Sequence, residues 1–214
     1  MPEGPPRPAE ISWSDLNDRR RAVHRRGPRV HRLPLIPRST RYAAQRIVPG
    51  STVVDVGASE GRFGRRLPPG CDYRTVDVDP RVGADHRDLK ELADGAADVV
   101  VCFETLEHLT LPEAVELLEQ VRRVLRPGGR LYLSTPNVHH PWSYLRSATH
   151  RTPFAYDELG ALLDRAGLEV EALLRCHKDS VLQGVIRLLA RPLYRLLGVD
   201  FAKSILAVAR RPPA

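Results

Sequence analysis

The residue pattern with the clearest chemical meaning is an apolar run that ends in a glycine-rich turn. The run 53–56 contains one acid, Asp55, and the turn after it carries Gly57, Gly61 and Gly64. An apolar run that enters a tight turn and then a helix predicts a buried parallel strand. Glycines let the backbone approach a ligand closely, and the N–H groups that open the next helix face the space above the strand end. We therefore predict a nucleotide site at this turn, as in open α/β sheets.

The spacing of the glycines separates two kinds of nucleotide site. A dinucleotide fingerprint, G-x-G-x-x-G, would need glycine at Ser59 and Arg62 when it starts at Gly57. The sequence instead fits acid-x-G-x-G-x-G, in which Asp55 is the acid, Ser59 replaces the middle glycine and Gly61 follows. The spacing therefore argues against a dinucleotide cofactor.

Further motifs follow the turn in a recognisable order. Asp77 lies 20 residues after Gly57, at the end of a second predicted strand, and the pair Asp88-Leu89 precedes the apolar run of a third. The segments 98–109 (DVVVCFETLEHL) and 122–137 (RRVLRPGGRLYLSTPN) then each place a turn after a strand. Together these motifs resemble the class I S-adenosylmethionine-dependent methyltransferases over residues 40–214. The Leu-Glu-His and Ser-Thr-Pro-Asn turns are most similar to the ubiquinone-biosynthesis O-methyltransferase type.

The resemblance implies S-adenosylmethionine as the cofactor and a set of contacts to it. Asp77, in preference to Asp79, would accept hydrogen bonds from the ribose hydroxyls, and Asp88 would meet the adenine amino group. Arg41, on a helix before the first strand, would meet the methionine carboxylate. The cofactor-binding residues predicted in this way are Arg41, Asp55, Gly57, Ala58, Ser59, Gly61, Asp77, Val78, Asp88, Leu89, Phe103 and Glu104.

The resemblance also predicts the reaction, an in-line transfer of a methyl group to a small-molecule acceptor at oxygen. A hydroxyl acceptor must lose a proton, and a neutral histidine suits that task near neutral pH. His108 is the leading candidate base and His139 the second, with a structural hydrogen-bonding role as an equally weighted alternative for both. Glu104 and Glu107 form no obvious ligand set with His108, so we predict no metal.

The charge of the chain is concentrated near its N-terminus. The formal net charge is +7, and residues 1–49 hold 11 Arg and four acidic residues, whereas residues 50–214 are balanced. We predict a Pro- and Arg-rich, partly disordered arm over residues 1–38 and a methyltransferase domain over residues 39–214. A solvated arm is favoured over one that binds nucleic acid or an anionic membrane, because few aromatic residues accompany the arginines. An RNA or protein methyltransferase recruited by the arm, and a non-catalytic cofactor-binding scaffold, are the alternatives.

Strands alternate with helices along the chain, which predicts a Rossmann-like, doubly wound α/β fold. We expect a mostly parallel seven-stranded sheet with an antiparallel edge strand. Residues 180–197 predict a helix with Arg187, Arg191 and Arg195 at four-residue steps beside many apolar residues. The favoured interpretation is that this helix packs its apolar face on the sheet or roofs the acceptor pocket, and the alternative is a peripheral membrane contact.

The remaining composition bears on the compartment. The chain has three cysteines without a C-x-x-C pairing, and it shows neither an apolar stretch of about 20 residues nor a signal-peptide core. We therefore expect a cytoplasmic protein with reduced thiols. Neither the identity of the acceptor nor the oligomeric state follows from these residues.

Overall fold

The computed structural model describes residues 12–26, 30–177, 186 and 189–213. The strands in this part of the chain are β1 (Leu35–Ile36), β2 (Thr52–Val56), β3 (Asp72–Val76), β4 (Ala97–Phe103), β5 (Leu125–Pro136), β6 (Glu169–Cys176) and β7 (Ser204–Arg210). The α-helices are α1 (Trp13–Arg26), α2 (Ser39–Ala44), α3 (Leu111–Val124), α4 (Pro141–Leu145), α5 (Tyr156–Arg165) and α6 (Arg191–Leu196). Within these ranges, no helix combines the length and the apolar character needed to cross a membrane.

The strands form one sheet in the order β1-β6-β7-β5-β4-β2-β3. Every neighbouring pair is parallel except the two that β7 makes, with β5 and with β6. The predicted α/β fold with a mostly parallel seven-stranded sheet and an antiparallel strand towards one edge is confirmed. The outermost strand on that side is the two-residue β1, which pairs with β6 through Leu35 and Ile36. β1 lies between Pro34 and Pro37, and the sequence pattern there predicts only an extended connector.

Two apolar layers cover the faces of the sheet. Because successive strand residues point to opposite faces, Val54 and Val100 pack in the larger cluster, with Leu118 of α3. Val53 packs in the smaller cluster on the other face, together with Ala43 of α2. Val53 and Val54 are fully buried, so the strand that leads into the glycine turn is fixed from both sides.

The element after the glycine turn is a single 3₁₀ turn where the sequence predicts a short helix over residues 63–67. It is a 3₁₀ turn over Arg62–Arg66, which begins after Gly61 in a left-handed conformation and ends before Pro68-Pro69. A proline pair cannot continue a helix, so the chain passes directly from this turn to β3. Phe63 is the buried residue of the turn and joins the smaller apolar cluster.

The described part of the predicted arm packs on the domain. The polar stretch Trp13–Arg26 within the arm forms the helix α1. Leu16 is nevertheless buried, Val23 packs against Gly160 of α5, and two ion pairs also join α1 to α5: Arg19 to Asp164 at 2.6 Å and Arg20 to Asp157 at 2.7 Å. Apolar contacts and ion pairs together therefore hold this part of the arm on the domain.

The predicted helix 180–197 is covered only in part. Residues 180–185, 187 and 188, and with them Arg187, lie outside the described residues. The described remainder is Ile186, Leu189 and α6, and α6 has no buried residue. For this remainder, packing of the apolar side on the sheet is wrong, and a roof over the acceptor pocket stays a prediction.

Candidate active site

The glycine turn stands at the carboxyl end of β2, next to the carboxyl end of β4. Gly57 has a φ of +70°, and a Cβ atom built there would lie 2.3 Å from the Thr105 hydroxyl oxygen in the turn after β4. Both the backbone conformation and the close approach require glycine at this position. The two turns therefore pack directly on each other at the edge of the sheet where ligands bind in open α/β folds.

Asp77 connects this turn to the end of β3. One carboxylate oxygen accepts a hydrogen bond from the Ser59 amide at 2.8 Å, and the other accepts one from the Asp79 amide at 2.9 Å. A carboxylate has about four acceptor positions, so each oxygen retains capacity for a further donor. Asp79 instead caps the 3₁₀ turn 80–82 and forms an ion pair with Arg81 at 2.6 Å. The geometry separates the two acids as the sequence predicted, since Asp79 is a turn cap.

The larger cavity at this edge has a volume of about 560 Å³ and lies between the ends of β2, β3 and β4 and the helix α3. It collects six of the predicted cofactor-binding residues: Gly57, Asp77, Val78, Asp88, Leu89 and Glu104. Val56, Val76, Leu109 and Leu117 add apolar walls. A carboxylate at the rim of an apolar slot is a suitable environment for a nucleoside, whose ribose is polar and whose base is flat and largely apolar.

A second cavity of about 370 Å³ adjoins the first and shares Gly57 with it. Its lining includes the predicted residues Asp55, Ala58, Ser59 and Phe103, together with Phe63. The rings of Phe63 and Phe103 lie 5.2 Å apart and form its apolar side. Two adjoining cavities provide room for a ligand with a nucleoside part and an amino-acid part.

Two predicted cofactor-binding residues lie apart from these linings. Arg41 is on α2 with an exposed side chain and is not among the residues that line either of the two cavities. Gly61 is not a lining residue either, and its left-handed conformation instead shapes the turn beneath Ser59. A direct contact of Arg41 with the cofactor stays a prediction.

Asp55 is a buried acid beneath the second cavity. Its carboxylate accepts a hydrogen bond from the Tyr73 hydroxyl at 2.5 Å. The pKa of Asp55 is raised to about 6: burial raises it most, the Tyr73 hydrogen bond lowers it, and the nearby charge of Asp77 raises it. Tyr73 is a supporting residue that sequence reasoning missed, because a tyrosine in an edge strand carries no motif.

Glu104 directly follows β4 and has a left-handed φ of +53°. Its amide donates to the Ser134 carbonyl at 2.8 Å, and its carboxylate accepts from the Ser134 hydroxyl at 2.8 Å. These two contacts to β5 hold a conformation that costs a non-glycine residue about 1–3 kcal/mol. Glu104 lines the larger cavity, and its contact with the cofactor stays a prediction.

The two predicted catalytic histidines occupy different surroundings. His108 lines the larger cavity, and its Nδ1 lies 3.2 Å from the carbonyl oxygen of Thr149. Because a carbonyl oxygen can only accept a hydrogen bond, the proton of the neutral ring is assigned to Nδ1, and Nε2 is left as an acceptor. His139 lies after β5, and its carbonyl accepts from the Asp200 amide at 2.7 Å. His139 does not line either described cavity, so the structure brings only His108 to the cofactor side.

Two further groups lie beside His108. Glu107 is almost fully buried; one of its carboxylate oxygens accepts from the Thr135 hydroxyl at 3.2 Å, and the other has no hydrogen-bond partner in the described residues. Burial and the charge of Glu104 raise the pKa of Glu107 to about 8. The unpartnered oxygen faces Nε2 of His150 at 4.0 Å, and the ring of His150 packs edge-on against that of His108.

The ligating atoms of Glu107, His108 and His150 lie within 4.8 Å of one another, so this cluster could hold a divalent cation. The prediction of no metal stays a prediction. His150 was missed because it is 42 residues from His108 in the chain, and only the loop after β5 brings it back to this turn.

The chain was then compared with known proteins. A family model described as a methyltransferase domain matches residues 28–173. Over 145 residues the chain is 36% identical to an S-adenosylmethionine-dependent methyltransferase of Mycolicibacterium smegmatis, covering 58% of this chain and 54% of that protein. Over 131 residues it is 30% identical to the ubiquinone biosynthesis O-methyltransferase of Xanthomonas campestris pv. campestris, covering 52% and 54%. The chain thus spans about half the length of these relatives.

The fold is shared with solved structures of lower identity. A S-adenosylmethionine-dependent methyltransferase from Archaeoglobus fulgidus superposes with a TM-score of 0.59 at 18% identity, over 91% of this chain and 94% of that one. At this identity the likeness concerns the fold alone.

Proposed function

The chain belongs to the class I S-adenosylmethionine-dependent methyltransferases, and we propose that it transfers a methyl group to an oxygen atom of a small-molecule acceptor. The observation that carries this proposal is the position of Asp77. Its carboxylate stands at the rim of the larger cavity, anchored to the glycine turn through Ser59 and still able to accept two donors. A neighbouring pair of ribose hydroxyls supplies two donors of that kind.

The described residues fit the cofactor in its two parts. Asp77 would hold the ribose, and Val78, Asp88 and Leu89 would surround the adenine, because all four line the larger cavity. Asp55, Ala58, Ser59 and Phe103 would surround the methionine part in the adjoining cavity. When bound, S-adenosylmethionine supplies an electrophilic methyl group on a positively charged sulfur.

The chain itself would contribute orientation and one proton transfer. Holding an acceptor in near-attack geometry is worth several kcal/mol, up to about 7–11 in favourable systems. The hydroxyl of the acceptor must lose its proton, and Nε2 of His108, kept free by the Nδ1 contact to Thr149, is the group proposed to accept it. Relatives named ubiquinone biosynthesis O-methyltransferase support oxygen as the acceptor atom.

Two measurements test the proposal. Calorimetry should detect binding of S-adenosylmethionine and S-adenosylhomocysteine to the folded chain, and the absence of both signals would rule the proposal out. A transfer screen with a tritiated methyl group over metabolites, lipids, RNA and proteins should place the label in a small molecule. Label in RNA or protein would favour the alternative acceptors, whereas cofactor binding without transfer to any fraction would favour a non-catalytic scaffold.

A further inference from the structure

Large apolar side chains of α4, and others in and around α6, are exposed to solvent. We call this set the α4–α6 face and define it by Trp142 and Leu145 of α4 and by Leu189, Leu193, Leu196 and Leu197 in and around α6. Trp142 is 77% exposed and Leu196 is 82% exposed, so these residues are not partly covered core residues. Exposed apolar side chains that cluster in this way are a feature of interaction surfaces.

In the described part of the segment around α6, the leucines from Leu189 into α6 follow a helical spacing. Backbone hydrogen bonds run from the Ala190 amide to the Ile186 carbonyl at 3.0 Å and from the Leu197 amide to the Leu193 carbonyl at 3.0 Å. Side chains three and four positions apart in a helix lie on the same face. Leu189, Leu193 and the pair 196–197 therefore form one apolar stripe, although no residue of α6 is buried.

A hydrogen-bonded junction joins the two parts of the face. The Asp200 amide, just after α6, donates to the His139 carbonyl, just before α4, at 2.7 Å. The Asn137 side chain donates to the Asp200 carboxylate at 3.0 Å, and Arg175 donates to the same carboxylate at 2.8 Å. The segment of α4 leaves β5 and the segment of α6 enters β7 at this junction. The face therefore borders the carboxyl edge of the sheet, where the candidate active site lies.

The charges around the face have a single sign. Arg146, Arg191 and Arg195 are exposed, and none of them forms an ion pair within the described residues. The sequence has no Asp or Glu in residues 137–151 or in residues 180–199. A second copy of the chain meeting this face by two-fold symmetry would bring like charges together. A surface of phosphate groups over an apolar interior would instead complement both features.

We propose that the α4–α6 face binds peripherally to the surface of an anionic lipid bilayer. The leucine stripe and Trp142 enter the boundary between headgroups and acyl chains, and the arginines contact the lipid phosphates. A further step rests on the proposed function: a face that borders the active site would let the enzyme take an amphiphilic acceptor directly from the bilayer.

Vesicle sedimentation of the full chain tests the docking surface without cofactor, so its outcome is independent of methyl transfer. The wild type should sediment with mixed phosphatidylglycerol–phosphatidylcholine vesicles and stay in solution with pure phosphatidylcholine. The double variant L193E/L196E should lose about tenfold or more in vesicle affinity, because it places two charges in the apolar stripe. The matched control is Val48→Glu, which adds the same group at a 68% exposed apolar position at the opposite edge of the sheet.

A second readout keeps the proposal testable if L193E/L196E folds poorly. Trp13→Phe leaves Trp142 as the one tryptophan, whose fluorescence should shift to the blue on the anionic vesicles. The proposal would be overturned if the fluorescence of Trp142 did not shift, or if the folded double variant bound vesicles as tightly as the wild type. It would also be overturned if the wild type did not sediment with anionic vesicles. A dimer in light scattering that L193E/L196E dissolves, without vesicle binding, would also overturn it. For the acceptor, the transferred label should enter the lipid extract, and label confined to water-soluble products would refute that step.

Discussion

The amide of Ser59 donates a hydrogen bond to the Asp77 carboxylate at 2.8 Å while Ser59 holds a left-handed φ of +48°. For a residue with a side chain this conformation costs about 1–2 kcal/mol. The contact joins the turn after β2 to the end of β3 and helps to hold the strained backbone in place. Asp77 therefore has two tasks, shaping the glycine turn and presenting the acceptor positions proposed for a ribose.

Replacing Asp77 should weaken cofactor binding specifically. Asp77→Ala removes charge-assisted hydrogen bonds to the ribose, each worth about 1.5–3 kcal/mol, so the Kd for S-adenosylhomocysteine should rise about 10- to 100-fold or more in calorimetry. Asp79→Ala is the matched control, because Asp79 caps the next turn and pairs with Arg81. Equal affinities for Asp77→Ala and wild type would contradict the assignment.

The strain at Ser59 predicts a stabilising substitution. Ser59→Gly should raise the free energy of unfolding by about 1 kcal/mol, because glycine adopts the left-handed conformation without steric cost. Ser59→Ala keeps both the strain and the amide contact to Asp77, and it should leave stability nearly unchanged. Urea unfolding of the three proteins measures the difference. A Ser59→Gly protein less stable than Ser59→Ala would show that Ser59 is not strained in solution.

The sequence predicted those strands and turns that a single local residue pattern determines. The apolar run of β4 is buried on both sides of the sheet, as a central strand requires, and the glycine turn after β2 occurs where predicted. The two-residue β1 could not be predicted, because its pairing depends on β6, about 140 residues later in the chain. The docking of α1 was also not predicted, because its ion-pair partners on α5, Asp157 and Asp164, lie about 140 residues later in the chain.

The candidate site divides in a similar way. Gly57 and Ser59 belong to the glycine turn, and Asp77 follows at the end of the next strand. These residues could be selected from the sequence because each lies directly after a recognisable strand, and the ends of the two strands are adjacent. Tyr73 and His150 were missed because their partners, Asp55 and His108, are distant in sequence and are reached only through the folded sheet and its loops.

The buried acid Asp55 predicts a pH-dependent stability. Burial raises its pKa from the ordinary 3.8 to about 6, so the folded chain binds a proton that the unfolded chain lacks between these values. The contribution of Asp55 to stability therefore rises as the pH falls through about 6, and the cost of its buried charge is fully present above that pH. Asp55→Asn removes the charge and should raise stability at about pH 8, by up to about 3 kcal/mol, with little gain near pH 4.

Urea unfolding of Asp55→Asn and wild type across this range measures the effect, because groups common to both proteins cancel in the difference. Tyr73→Phe provides the comparison, since it removes the hydrogen bond that lowers the Asp55 pKa and should steepen the loss of stability with rising pH. A difference between Asp55→Asn and wild type that stays constant from acid to alkaline pH would refute the raised pKa.

Removing His108 should slow the chemical step while sparing the cofactor. His108→Ala should lower kcat about 10²- to 10⁴-fold, the usual contribution of a general base, with an unchanged Kd for S-adenosylhomocysteine. Added imidazole should restore part of the activity, and His139→Ala serves as the control on a histidine away from the described cavities. Loss of wild-type activity on chelation, with recovery on adding a divalent cation, would assign His108 to metal binding with Glu107 and His150 and contradict the prediction of no metal.

The buried ion pair between Arg175 and Asp200 predicts the largest loss of stability. Arg175 also donates to the carbonyl oxygens of Leu33 and His31, so it joins β6, the segment before β7 and the described end of the arm. Asp200→Ala leaves the guanidinium group buried without a counter-ion, which should cost about 3–5 kcal/mol in urea unfolding. Glu171→Ala, which breaks the more exposed pair with Arg130, should cost about 1 kcal/mol or less. Much of the stability lost in Asp200→Ala comes from the unpaired, buried charge of Arg175. Adding Arg175→Met to Asp200→Ala should therefore recover part of that loss. If the effects of the two substitutions on stability simply add, this explanation is refuted.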